Sequence, residues 1–229
     1  MTLQRTGGLA ALTCAATYIF GFTFLVTTLA PLGFGTNNID ASAVVAFIQS
    51  QPGFLILWNT VIYIINAIAL ALLVAALHGR LKSTRPDFAM VTLVLGIIWA
   101  TLVIGAGMIG NVAVERAAQL AQTDVSQAVQ VWSTLHAVEL GLGGGNEIAG
   151  GVWIGSVSLA GLLGRGLGRI AVGLGLLTAA GGLLTLIPAI GDVAGAVFGL
   201  GAIAWFIAVG CSLLFGRSAT PLPQAGQVA

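Results

Sequence analysis

The chain of 229 residues is 58% hydrophobic and only 7% charged, with a formal net charge of +1. A water-soluble globular domain, which carries roughly 25% charged residues, is excluded, and so is a nucleic-acid partner, because no basic stripe is present to neutralise phosphates. Continuous apolar runs of about 20 residues, enough for a helix to cross ~30 Å of hydrocarbon, exclude the alternating short strands of a β-barrel.

The expected fold class is therefore all-α: a polytopic membrane helix bundle with six transmembrane helices and an extended external hairpin between helices three and four. The first span covers 8–30 and ends at Pro31. It exceeds the 7–15-residue apolar core of a signal peptide, so it reads as a retained helix. After the turn-rich GFGTNN, Asp40 is placed to cap a short amphipathic helix, DASAVVAFIQS, closed by Pro52. That helix is too short to span and is expected at the membrane interface. Span two covers 53–79 and is followed by GRLKSTRPD.

Span three begins near Phe88 and is apolar to Gly110, but helical character continues through NVAVERAAQLAQ. Thr123 or Asp124 then caps a returning helix, VSQAVQVWSTLHAVEL, which leads into span four and ends near Leu163. Reflecting the sequence about that turn sets Asn111 near His136 and Met108 near Glu139. Span five covers 170–190 and span six 193–216. Residues 1–217 thus read as a single six-helix transmembrane domain and 218–229, SATPLPQAGQVA with its neighbours, as a disordered cytoplasmic tail.

Orientation follows from the cationic side chains. Arg5, Arg80, Lys82, Arg85, Arg165, Arg169 and Arg217 fall on one side of a six-span arrangement and only Arg116 on the other. Positive residues are retained in the cytoplasm, so both termini are expected there, with Asp40, Glu115, Asp124 and Asp192 outside.

The stretch HAVELGLGGGNE, 136–147, concentrates ionisable groups beside glycines. On a continuous helix His136, Glu139 and Glu147 share one face, since offsets of three and eleven residues are each close to whole turns. Glu147 falls just inside the outer boundary of the hydrocarbon. An ionised side chain in a span costs on the order of 2–3 kcal/mol at the bilayer centre, so a carboxyl there either pins helices through hydrogen bonds or serves a ligand. Asn59, Tyr63 and Asn66 of span two lie at four-then-three spacing on one face; Asn59 and Tyr63 are the expected neighbours of Glu147, and all three suit interhelical hydrogen bonds. His136 and Glu139 have the H-x-x-E spacing of helical metal ligands. With Glu147 they make the only candidate metal site, although such sites need three or four ligands and the other histidine, His78, falls on the opposite side.

The run LGLGGGNEIAGG either breaks the helix or packs closely against a neighbour, as do the small-residue pairs Gly151/Gly155 and Gly195/Gly199. Cys14 and Cys211 lie in apolar spans and indicate neither a disulfide framework nor a metal knuckle. No GxSxG elbow, Walker loop, HExxH or dinucleotide-binding glycine turn is present.

The N-terminal RTGGLAALTCAATYIFGF, the Asn59/Asn66 pair and NEIAGGVWIG together resemble a bacterial multi-pass membrane family known only as a domain of unknown function. The resemblance implies a six-helix architecture in a bacterial inner membrane and assigns no catalytic residue or cofactor. Three functions remain open. The first is a binding or accessory role, with a lipid or small apolar molecule held between helices, or docking to a membrane-protein partner or a second copy. The second is an enzyme acting on a lipid-like substrate through His136, Glu139 and Glu147; the third is a small-solute transporter, for which no second interrupted span is visible. In the binding reading His136, Glu139 and Glu147, with Asn59, Tyr63, Asn66 and Asn111 nearby, form a polar mouth, and Trp58, Trp99 and Trp153 supply apolar walls.

Overall fold

A computed structural model describes residues 2–36, 38–144, 147–164 and 166–215. Arg165, Arg217, Gly145, Asn146 and the tail from 216 onward lie outside the described residues, so the expectations about them are not addressed. Among the described residues the chain is helical and has no strand. Five segments are long and apolar enough to cross a membrane: Leu3–Leu32, Pro52–Leu81, Pro86–Leu120, Val125–Gly164 and Pro188–Phe215. These helices are compatible with an integral membrane protein.

Helix α1 (Leu3–Phe24) passes through a π-helical turn, Leu25–Leu29, and a 3₁₀ turn, Ala30–Leu32, that contains Pro31. Helix α2 (Ala41–Ser50) is capped by Asp40, whose carboxylate accepts the N–H groups of Ser42 and Ala43, each at 3.0 Å. The second span is not one regular rod: α3 (Pro52–Asn59) and α4 (Asn66–Leu81) are joined by a π-helical stretch, Thr60–Ile65. Helix α5 (Pro86–Leu120) runs unbroken for 35 residues. It turns through 121–124 into α6 (Val125–Glu139), which Asp124 caps through the Gln127 N–H at 2.9 Å, and the two helices pack together.

The chain breaks after α6. A π-type turn, Leu140–Gly144, contains Gly143 at φ 135°, a conformation that disfavours any side chain, before α7 (Ile148–Gly164) begins. Helix α8 (Arg169–Leu184) has 16 residues and is shorter than the expected fifth span. Pro188 explains the early stop: it pushes Ile187 into the extended region (φ −100°, ψ 103°), which a helix cannot contain. Helix α9 (Gly191–Phe215) closes the bundle against α1 and α8.

Three side-chain bonds gather one end of the bundle. Gln4 Nε2 donates to Leu213 O at 3.0 Å, Arg80 Nε to Gly166 O at 2.8 Å and Arg85 Nη2 to Leu163 O at 3.1 Å. The start of α1, the α4–α5 and α7–α8 loops and the end of α9 therefore meet at this basic end. At the far end, the Glu147 N–H donates to Thr185 Oγ1 at 3.3 Å, tying the start of α7 to the end of α8.

The core has two parts. A main core, with Trp99, Trp153, Phe198, Trp205 and Phe206 at its centre, is shared by α1, α4, α5, α7, α8 and α9. A second core at the far end joins α2, α3, the last turns of α5 and α6 through Val44, Ile48, Leu55, Val114 and Trp132. Gln49 Nε2, donating to Ala121 O at 3.1 Å, fastens α2 to the α5–α6 turn. The short amphipathic helix is thus a structural part of a small cap, its apolar face buried on protein.

Candidate functional site

Between the two cores lies a cavity of about 820 Å³. Its walls come from α1, the 34–39 loop, the second span, α5, the end of α6 with the turn after it, and α9. It exists because α1 and α9 separate. Lower down, the two helices meet closely: a Cβ built on Gly199 would come within 2.5 Å of the Phe22 ring and one on Gly8 within 2.6 Å of Leu214. One turn above Gly199, a Cβ on Gly195 meets nothing within 4 Å, and Gly195 lines the cavity. The expected Gly195/Gly199 packing pair is therefore split, with Gly199 packed and Gly195 open.

His136 and Glu139 meet as the i, i+3 spacing implies. His136 Nδ1 donates to Glu139 Oε2 at 3.0 Å, and the two residues are 9% and 6% exposed. The imidazole stacks on Trp132, one turn earlier, with centroids 4.7 Å apart and planes at 15°, and lies 5.9 Å from the Phe34 ring. Its Nε2 is buried without a hydrogen-bond partner among the described residues. The ring lines both the large cavity and a void of about 10 Å³ beside Asn59, Gly110 and Glu139, which is the size of one water molecule.

Gly110 makes this corner possible, since a Cβ there would come 2.9 Å from Asn59 Nδ2 and 3.3 Å from Glu139 Oε2. The residue opposite Glu139 is thus Gly110, two positions from the expected Met108, which is 57% exposed. Asn111 Nδ2 donates to Thr60 Oγ1 at 3.1 Å. An offset of two residues lies within the few-residue precision with which reflection about the turn fixes the hairpin register.

The three polar residues of span two go to different places, because the π-helical stretch between them changes the angle per residue. Asn59 is 5% exposed and lines the small void, Tyr63 lines the large cavity, and Asn66 lines its floor while donating to Thr17 Oγ1 at 2.6 Å. Glu147 also lines the large cavity, across the helix break from His136 and Glu139. Its backbone is held by α8, at Thr185 and against Gly182, and of its two expected neighbours only Tyr63 shares the cavity with it. Among the described residues no group of three His, Cys, Asp or Glu side chains converges as metal ligands do, and the interrupted helix is why Glu147 stays apart from the other two.

Trp58 and Trp99 form walls as expected, with Trp58 Nε1 donating to Gly21 O at 3.3 Å. Trp153 lies behind Trp99 in the main core, fully buried, with its Nε1 bonded to Thr92 O at 2.9 Å. Among the cavity residues that the reading of the sequence did not single out are Tyr18, Phe34, Thr185 and Asp192. Tyr18 carried one signal, since the chain has only two tyrosines and both line this cavity. The i, i+4 spacing of Trp132 and His136 was another. Comparison with protein-family models, curated proteins and solved structures finds no match to the chain.

Proposed function

We propose that the protein is a six-span bacterial inner-membrane protein that binds an amphiphilic small molecule in the cavity between its two cores. The observation that carries this reading is the cavity itself. At about 820 Å³ it falls within the range of ligand sites, and it combines tryptophan, phenylalanine and aliphatic walls with a few buried polar groups. The apolar part of a ligand suits Trp58, Trp99 and Val103, while its head group suits His136, Glu139 and Glu147. The five long apolar helices support membrane insertion. A sixth crossing by α8 is supported by its position alongside α7 and α9, which leaves the start of α1 and the end of α9 at the basic end with Arg5, Arg80, Lys82, Arg85 and Arg169.

Native mass spectrometry of gently solubilised protein tests the binding reading. The native chain is expected to retain one lipid or other amphiphile, and Gly195→Phe to lose it, because a Cβ at Gly195 meets nothing within 4 Å and Gly195 borders the cavity that the added ring would fill. Equal retention by both proteins, or none by either, would end the proposal. Topology is tested separately by cysteine labelling in a background lacking Cys14 and Cys211: an impermeant reagent should reach position 122 in intact cells and not position 83. The opposite pattern would invert the orientation.

A second reading, an enzyme, rests on the imidazole. With Nδ1 held by Glu139, a neutral His136 keeps its lone pair on Nε2, which is the arrangement of an oriented general base. His136→Gln should then retain the amphiphile but stop its turnover; unchanged turnover would remove this reading.

A further inference from the structure

We infer that the ligand is a hydrophobic ammonium, an apolar molecule carrying a protonated amine; this inference rests on the binding reading above and names the chemistry of its head group. The cavity takes three of the chain's seven acidic side chains, Glu139, Glu147 and Asp192, and among the described residues no lysine or arginine lines it. The described cations Arg5, Arg80, Lys82, Arg85 and Arg169 lie at the basic end, and Arg116 is paired with Gln119 Oε1 at 3.2 Å on the exposed surface of α5. A phosphate or carboxylate head group would therefore enter a chamber with three carboxyl groups and no cation to meet it.

The hydrogen-bonding character agrees with the charge. His136, whose Nδ1 is held by Glu139, lines the cavity, and its Nε2 is buried without a partner among the described residues. The carboxyl groups ask for a head group rich in N–H donors. The walls add a third feature. Trp58, Trp99, Tyr18, Tyr63 and Phe34 bring aromatic faces to the same space, and desolvated aromatic faces attract cations. Carboxylates and aromatics together bind ammonium groups, while the aliphatic residues of α1 and α9 suit a hydrocarbon tail.

Three probes with the same dodecyl tail separate head-group charge from tail burial: dodecylamine, dodecan-1-ol and dodecanoate. Each is titrated by native mass spectrometry into the full chain in an uncharged detergent and into Glu147→Gln, Asp192→Asn and Gly195→Phe. Dodecylamine is expected to bind the native protein at least roughly tenfold more tightly than the alcohol, the fold-change of one hydrogen bond to a charged group. Glu147→Gln or Asp192→Asn should erase most of that preference while leaving the alcohol unchanged, and Gly195→Phe should weaken all three probes. If the alcohol or dodecanoate binds as well as the amine and Gly195→Phe still abolishes it, the ammonium assignment fails and the amphiphile reading stands. If no probe shows binding that Gly195→Phe removes, both fail. Thermal stability of each variant, expected within a few degrees of the native chain, separates lost binding from lost folding.

Discussion

Helix α9 has two seams at nearly the same depth, and they are built in opposite ways. Toward α8 it is closed: a Cβ on Gly181 would come 2.9 Å from the Phe198 nitrogen and one on Gly182 2.9 Å from the Phe198 ring. Gly182 also faces the first turn of α7, 2.7 Å from Glu147 O and 2.8 Å from Gly151 Cα by the same construction. Toward α1, Gly195 faces open space. Glycine thus serves one seam by letting backbones touch and the other by leaving room. In a membrane, where lipid is as apolar as the protein interior, helices associate through close van der Waals contact, so an unclosed seam beside a closed one is a place for something else to pack.

Substitutions that add a single methyl group read this contrast directly. The largest effect is expected from Gly182→Ala, whose methyl would meet backbone on two sides and force α7 and α8 apart; overpacking of this kind costs about 1–3 kcal/mol. Unfolding measured by dodecyl sulfate titration should show it, and native stability would mean that the seam is looser than its distances. Next comes Asn66→Leu at the cavity floor. It removes the 2.6 Å bond to Thr17 between α4 and α1, but the Thr17 hydroxyl still donates to Cys14 O at 2.8 Å. The loss should therefore be about 0.6–1.7 kcal/mol, the range for single hydrogen bonds between membrane helices. The smallest and opposite effect is expected from Gly195→Ala, which meets nothing and gains helix propensity, for a change between zero and about 1 kcal/mol of added stability. A loss there comparable to that of Gly182→Ala would erase the distinction between the seams.

Features written in local chemistry were legible in the sequence. Asp40 and Asp124 cap the helices they precede, and the third span overruns into α5 and returns as α6, because each depends on a few adjacent residues. The His136–Glu139 pair was legible for the same reason. The glycine run after Glu139, by contrast, leaves a break and close packing both open, and the turn at Gly143 decides for the break. What could not be read is what depends on distant parts of the chain. The π-helical stretch Thr60–Ile65 carries no side-chain signature, yet it sends Asn59 toward Gly110 and Asn66 toward Thr17. Gly195 and Gly199 have the same spacing as packing pairs elsewhere, and only the position of Phe22 on α1 separates their roles. The cavity belongs to that second kind, since six separate stretches of chain must be in place before it exists.

The brevity of α8 has a consequence for the lipids around the protein. Its 16 residues rise only about 24 Å and the 17 of α7 about 26 Å, whereas α5 and α9 exceed the ~30 Å hydrocarbon thickness. In a six-span arrangement the bilayer is pinched on the α7–α8–α9 side of the bundle and relaxed elsewhere, a lopsided mismatch that costs fractions of a kcal/mol per ångström. Acyl chains beside the 185–190 turn would be shortened or splayed, which brings the head groups on that side toward Thr185 and Asp192 at the cavity's rim. The protein should accordingly be more stable in short-chain lipid bilayers than in long-chain ones, and a molecule leaving the membrane for the cavity would have its shortest path on that thinned side.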